Sequence, residues 1–388
     1  MRFFRQPPVW SPLTLRALLA GFRAAWLSDG ASACRALDQL LRAAYSPRAL
    51  YLTDSGTSAL TVALRAVHAA TGAPVALPAY CCYDVATAAD GARVPFFLYD
   101  IDPATLSPDR PSLRRALEAG ARSVVVAHLF GVPADLDAVR RLTSEFGAIV
   151  IEDAAQGSGC VAQGRPAGAH GALGVLSFGR GKGVTGGKGG ALLVNDERLA
   201  TVVSEVWALR TGARAPRGTL TDYIALKAQW LFGRPWLYWI PASLPFLGLG
   251  ETTYRAPQPV GDLSSLAAGI LVQTIPLIPE EVRARRANAL RVAAGSAQVR
   301  PITPPSDWEP GWLRFPIVLQ RTAGKQLSSY HMAAGVMQGY PNALADLAGF
   351  GARRLNADAA FPGARLLAER LVTLPTHRFV RGAKIPAF

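Results

Sequence analysis

Between about residue 50 and residue 200 the apolar positions change their period again and again. Thr57–Ala70 carries the spacing of a helix, Pro74–Leu77 is a short apolar run, and Asp84–Ala89 returns to helical spacing. Apolar runs at Val94–Tyr99, Ser123–Ala127 and Ala148–Ile151 predict strands, separated by helical segments at Ser112–Ala119 and Ala134–Phe146. Two more strands are predicted at Leu173–Phe178 and Ala191–Val194, with a glycine-rich turn between them. Strands that alternate with helices imply an α/β fold whose mostly parallel sheet is covered on both faces.

Residues 211–260 break this rhythm with Pro, Trp and Leu. A long helix is predicted from about Glu280 through Arg286 to Ala294. A strand at Leu313–Leu319, a helix near Lys325–Met337 and a late helix at Ala364–Leu371 follow, and they suit a smaller α/β domain. The expected division is a large domain over 1–260, with an apolar insertion at about 212–250, and a small domain over 261–388. Near the N-terminus the apolar stretch Leu13–Leu27 is interrupted by Arg16 and Arg23, and no small-residue cleavage site follows it, so it is not read as a signal peptide.

A chain of 388 residues with 50% apolar content can bury a large core. Its formal charge of +14 attracts anionic partners in general. No nucleic-acid-binding motif accompanies that charge, so nucleic acid is set aside. Cys34, Cys81, Cys82 and Cys160 form no CxxC pair, which argues against a structural zinc site and suits reduced thiols in a cytoplasmic protein.

Three short stretches carry candidate chemistry. Asp54-Ser55-Gly56-Thr57-Ser58-Ala59-Leu60 places small and hydroxylated residues just before a helix. Free amides at a helix N-terminus make a phosphate cradle, although an ordinary N-cap has the same composition. Ile149-Val150-Ile151-Glu152-Asp153 ends an apolar strand in two carboxylates, the place where open α/β sheets bind ligands. Such a carboxylate pairs with a pyridinium nitrogen, a metal or a ribose, or is a solvated strand end. Ser177 to Gly190 presents Lys182 from a glycine-rich turn, where a deprotonated amine forms a Schiff base and a charged one merely holds phosphate. The P-loop pattern is absent. Gly181, Gly183 and Gly186 match GxGxxG, but a strand rather than a helix follows them.

The order of these stretches resembles the DegT/StrS family of sugar aminotransferases, fold-type-I pyridoxal-phosphate enzymes. Leu77–Ala89, Tyr99–Asp102, Ala127–Asp137, Ile151–Gln156, Leu176–Val194 and Phe361–His377 also carry the likeness. It implies a large domain with a mostly parallel sheet, a smaller C-terminal α/β domain and a homodimer. The implied cofactor is pyridoxal 5'-phosphate. Lys182 would hold it and shuttle protons, Asp153 would pair with its ring nitrogen, and Gln156 would lie near its ring hydroxyl. Gly56, Thr57, Ser58 and Ser177 would hold its phosphate. The implied reaction moves an amino group, with glutamate the usual donor, to a nucleotide-linked keto-sugar in glycan or polysaccharide biosynthesis. A sugar dehydratase of the same family and a non-catalytic membrane-associated member are the alternatives, and Gln at position 156 goes with amino transfer. The chain departs from the family at three places. Cys82 stands where an aromatic stacks on the cofactor ring, with Tyr80 or Tyr83 as substitutes. Lys188 replaces a usual Glu. The Asn-containing loop that reaches the neighbouring subunit has no clear match, and Glu251–Arg255 sits roughly in its place.

Residues 229–249 look inserted relative to the family. The run has roughly the length of a membrane span, but Arg234 and three prolines argue against a straight one. Its Trp and Tyr residues, beside Arg210, Arg214, Arg217 and Lys227, suit peripheral contact with the cytoplasmic membrane face. A buried interface, or a cover over the substrate site, fits equally well.

Overall fold

The computed structural model describes residues 4–244, 247–248, 252–294 and 300–380. Met1–Phe3 lie outside the described residues, as do Pro245, Phe246 and Leu249 of the apolar insertion and Glu251 of the loop after it.

Two N-terminal helices, α1 (Leu15–Phe22) and α2 (Gly30–Tyr45), lead into the main sheet. Thr14 caps α1 by accepting the amide of Ala17. The apolar N-terminal stretch is therefore a packed helix, whose Leu13, Ala17 and Leu18 are buried with Leu266 and Ile270. The sheet strands are β1 (Ala49–Thr53), β2 (Val75–Pro78), β3 (Phe96–Tyr99), β4 (Ser123–Ala127) and β5 (Ile149–Asp153). A small hairpin, β6 (Val161–Ala162) and β7 (Arg165–Pro166), precedes β8 (Leu173–Ser177) and β9 (Gly190–Val194). The sheet order is β1-β9-β8-β5-β4-β2-β3. β8, β5, β4, β2 and β3 run parallel, whereas β9 is antiparallel to both β8 and β1. Because β9 turns straight back along β8, no crossover helix separates them. The glycine-rich turn therefore sits at the carboxyl end of β8, beside the carboxyl end of β5.

Helices α3 (Gly56–Thr71), α4 (Tyr83–Ala92), α5 (Arg110–Glu118), α6 (Leu136–Ser144) and α7 (Ala200–Ala208) connect or flank these strands. α3 buries nine residues from Ser58 to Val67, and β2, β3, β4 and β9 are buried throughout. That double-sided burial explains why these strands read as unbroken apolar runs.

The irregular 211–260 stretch contains α8 (Leu220–Phe232) and the short α9 (Trp239–Ala242). A reciprocal capping box between Thr219 and Asp222 starts α8. Among the described residues no helix is long and apolar enough to cross a membrane. α10 (Ser265–Thr274) packs on α1 and α2. α11 (Ile278–Ala294) then leads to β10 (Arg300–Pro301), β11 (Trp308–Glu309) and β12 (Arg314–Val318).

The predicted helix near 325–337 is instead two short helices, α12 (Ala323–Gln326) and α13 (Ser329–Ala333), followed by β13 (Met337–Gln338). Leu327 turns extended at φ −78° and ψ 114°. Gly335, at φ 83°, ends α13 in the left-handed region that glycine tolerates. α14 (Pro362–Arg370) and β14 (Leu371–Pro375) complete a second, antiparallel sheet ordered β10-β12-β14-β13. Phe315, Ile317, Val372 and Leu374 form its core together with Ala289 and Val292 of α11. β11 pairs with β6, so the C-terminal half is stitched directly to the loop that follows β5.

Candidate functional site

Strand alternation separates the two carboxylates at the end of β5. Glu152 is fully buried and faces His128, whose Nε2 lies 2.8 Å from its Oε1. The amides of His170 and Gly171 each donate to Oε2 at 2.9 Å. His128 Nδ1 accepts the Ala134 amide at 3.1 Å, so Nε2 carries the proton toward Glu152. Burial pushes the Glu152 carboxyl pKa up. The hydrogen bonds from His128 and from the loop amides outweigh it and bring the value to about 2. Glu152 is thus a structural anchor of the 168–171 loop, whereas Asp153 faces a cavity.

A group whose folded pKa falls from 4.5 to about 2 adds stability that is fully present above about pH 4.5 and is lost as the pH falls toward 2. Glu152→Gln is expected to cost on the order of 3 kcal/mol at neutral pH. Urea unfolding should show the gap from wild type narrowing through that acid window. A gap that stays constant with pH would contradict the assignment.

The cavity has a volume of about 590 Å³ and lies at the carboxyl ends of β5 and β8. Gly56, Thr57, Ser58, Cys82, Asp153, Ser177 and Lys182 all line it, so the fold brings together seven of the nine residues singled out in the sequence. At its floor, Asp153 is 9% exposed, and one carboxylate oxygen accepts the Ala155 amide at 3.0 Å. Burial raises the Asp153 pKa, while the Ala155 hydrogen bond and the Lys182 charge pull it back. Lys182 is half-buried on the turn above.

The cradle is built by α3. Ser55, its N-cap, accepts the Ser58 amide at 3.0 Å and leaves the first amides of the helix facing the cavity. Gly56 is required there by contact, since a Cβ would lie 2.7 Å from Ser177 Cβ and 3.0 Å from its Oγ. The hydroxyls of Thr57, Ser58 and Ser177, with Arg180 and Lys188 at the rim, form a donor set suited to a phosphate. Asp153 and Lys182 suit a basic ring nitrogen and a carbonyl carbon. The residues present therefore fit a phosphorylated pyridine aldehyde.

Two residues are placed differently from what the resemblance implies. Tyr83 follows Cys82 by one residue on the first turn of α4, and so points about 100° away from it. Its hydroxyl accepts the Asn342 amide at 2.8 Å, and it does not line the cavity. Gln156 is likewise absent from the lining. Its Oε1 accepts the Phe130 amide at 2.8 Å, and its Nε2 donates to the Tyr340 hydroxyl at 2.9 Å. Tyr80 is also turned away, its hydroxyl taking the Tyr340 amide at 3.0 Å. Cys82 alone of this group faces the cavity, where its Sγ lies 3.4 Å from Asp84 Oδ2.

Several lining residues escaped the sequence reading. Asp84 and Thr87 come from α4, and Ala256, Pro257 and Gln258 come from the loop after the apolar insertion, just past Arg255, which also lines the cavity and ends the stretch that the sequence set in place of the inter-subunit loop. Asp84 and Thr87 stand three residues apart and so share one face of α4, a helical spacing the sequence does carry. α8 reaches the same rim, because Lys188 pairs with Asp222 at 2.8 Å and Leu226 packs on Gly187. Of the insertion's aromatic residues, Trp236 is exposed, whereas Tyr238 and Trp239 are partly buried. Arg234 stacks on Trp230, 4.9 Å from its ring centroid, rather than reaching outward.

The chain is similar to known aminotransferases. L-glutamine:scyllo-inosose aminotransferase of Streptomyces griseus is 37% identical over 147 residues, which cover 38% of this chain and 35% of that protein. L-glutamine:2-deoxy-scyllo-inosose aminotransferase of Streptomyces fradiae is 31% identical over 241 residues, covering 61% of this chain and 50% of that one. These matches span no more than half the length of either relative. The aminotransferase TlmJ from Streptoalloteichus hindustanus superposes with a TM-score of 0.74 at 21% identity, covering 98% of this chain and 96% of its own, a likeness of fold. The aminotransferases of this group depend on pyridoxal phosphate. The family model that describes them matches residues 14–222, from α1 through the cradle, Asp153 and Lys182 to the start of α8, and the chain belongs to the DegT/DnrJ/EryC1/StrS aminotransferase family.

Proposed function

We propose that this protein is a pyridoxal-phosphate-dependent aminotransferase that moves an amino group from an amino-acid donor to the keto group of a sugar-like substrate. The observation that carries this reading is the convergence of Lys182, Asp153 and the Gly56–Ser58 and Ser177 cradle on one cavity. When bound, the cofactor supplies the electron sink for charge at the carbon that carries the amino group. Asp153 keeps the ring nitrogen protonated through its oxygen not taken by Ala155. The α3 amides and the hydroxyls of Thr57, Ser58 and Ser177 fix the phosphate. Lys182 Nζ would hold the cofactor and, once displaced, would take or return the proton at the substrate carbon that bears the amino group, in each half-reaction.

The named relatives are aminotransferases of L-glutamine with scyllo-inosose or 2-deoxy-scyllo-inosose. Glutamate or glutamine is accordingly the proposed donor, and a keto-sugar, nucleotide-linked and destined for cell-surface glycan, the proposed acceptor. A homodimer in the cytoplasm is proposed with it. Loaded protein given either donor and then a keto-sugar should yield the amino-sugar by mass. Release of ammonia without an aminated product would favour the dehydratase reading instead.

Peripheral membrane contact belongs to this proposal because Leu231, Trp236, Leu244 and Leu247 are exposed on the insertion of a strongly basic chain. Flotation with anionic vesicles tests it. Wild type should float, and replacing Leu231 and Trp236 by Ser should release the protein with its oligomeric state intact. A wild type that stays soluble, or a variant that falls to monomers, would make this surface an interface between subunits.

A further inference from the structure

Lys182 stands between Gly181 and Gly183. Gly181 is at φ 75° with nothing near its missing Cβ, so the local chain does little to fix the lysine. Farther along, Phe178 C=O accepts the Gly186 amide at 2.9 Å, and the Thr185 hydroxyl caps Gly187 N–H at 2.9 Å, which closes the turn but does not reach the lysine peptide. Two side chains from distant parts of the chain do reach it. The Ser11 hydroxyl donates to the Lys182 carbonyl at 2.6 Å, and Arg285 Nη2 donates to the Gly183 carbonyl at 3.0 Å.

Both partners are themselves held. Ser11 lies on an extended N-terminal strap. His377 Nε2 is 2.8 Å from the strap's Pro7 carbonyl, the Gln6 amide donates to Ala333 C=O at 2.9 Å, and Trp10 packs edge-on against Phe379. Arg285 is 1% exposed on the inner face of α11. Its close approach depends on glycine, since a Cβ on Gly183 would lie 3.0 Å from Arg285 Nη1 and would collide with Ser158. Burying a guanidinium is costly unless it is compensated. Glu281, one turn earlier and wholly buried, supplies the opposite charge and is itself paired with Arg378. Burial pulls the Arg285 pKa down to about 10, with Glu281 and Cys160 acting the other way. The cation therefore survives at neutral pH, and it spends its best hydrogen bond on the peptide next to Lys182.

We propose that Arg285 and Ser11 are positioning residues that clamp the successive carbonyls of Lys182 and Gly183, so that Nζ returns to one place each time it is displaced and recaptured. This rests on Lys182 being the cofactor-holding lysine. A displacement of about 1 Å at a reacting group costs up to about 100-fold in rate. Arg285→Met is thus expected to slow the half-reaction with an amino donor by about 10–100-fold. It should also shift the pH midpoint of the cofactor–lysine absorption band. In the cofactor-free protein, hydrogen exchange across residues 178–189 should accelerate. Arg285→Lys, which keeps a buried donor, should recover much of all three. Ser11→Ala should give smaller changes of the same sign, and it carries the test if Arg285→Met does not fold. Unchanged exchange, band and rate in both variants would overturn the clamp. So would a loss confined to thermal stability that Arg285→Lys restores without any change of band or rate. If wild type forms no lysine-linked band, the cofactor assignment fails, while the exchange comparison still reports on the clamp.

Discussion

Replacing Lys182 with alanine is expected to abolish the absorption band of the cofactor–lysine linkage and to cut turnover by several orders of magnitude. Loss of a covalent group that also shuttles the proton costs on the order of 10⁴–10⁶ in other enzymes. The geometry makes this loss specific. Lys182 and Lys188 are the two lysines that line the cavity, but Lys188 Nζ is engaged by Asp222 at 2.8 Å and sits at the rim, far more exposed. Lys188 is thus held at the rim by α8, whereas the half-buried Lys182 shares the inner cavity with Asp153. Phosphate binding should persist in Lys182→Ala, because the α3 cradle is untouched. Cofactor retained without covalent attachment, with turnover lost, is therefore the predicted outcome. A variant that keeps wild-type turnover would remove Lys182 from the chemistry.

Asp153→Asn is expected to leave cofactor bound and to slow the half-reaction with the amino donor by about 10²–10³-fold, the range seen when one preorganised electrostatic partner is removed. Asparagine can still accept the Ala155 amide that now fixes Asp153. The backbone of β5 should not move, since His128 N–H donates to the Asp153 main-chain carbonyl at 3.0 Å whatever the side chain is. What disappears is the negative charge facing the ring nitrogen. Stopped-flow absorbance separates this from a binding defect, because the slowed rate should persist at saturating donor. A near-wild-type rate would exclude Asp153 from the mechanism.

Much of the framework was legible because it is local. The runs at 96–99, 123–127, 149–153 and 190–194 lie in a sheet covered on both faces, which erases alternation and leaves a continuous apolar signature, in the antiparallel last run as in the parallel ones. The strand-end position of Asp153 and the turn that carries Lys182 follow from that framework. The directions of Tyr83 and Gln156 do not. They are fixed by Asn342 and Tyr340, 259 and 184 residues away, and no local pattern encodes such partners. Arg285 was hidden for the same reason, because an arginine on a predicted helix counts as a surface residue until its acceptor on another element is seen. The stretch 211–260 read as a break in rhythm and an apolar insertion, without its helices being placed. Its helix α8 presents exposed Leu220 and Ile224 beside buried Leu226, so its apolar pattern does not separate an inner face from an outer one.

The most direct test of the account is to reduce the cofactor-loaded wild-type protein with borohydride, digest it and locate the cofactor mass by peptide sequencing. The account predicts a single modified lysine at position 182. Label on Lys188, or protein that carries no covalent cofactor after reduction, would contradict it.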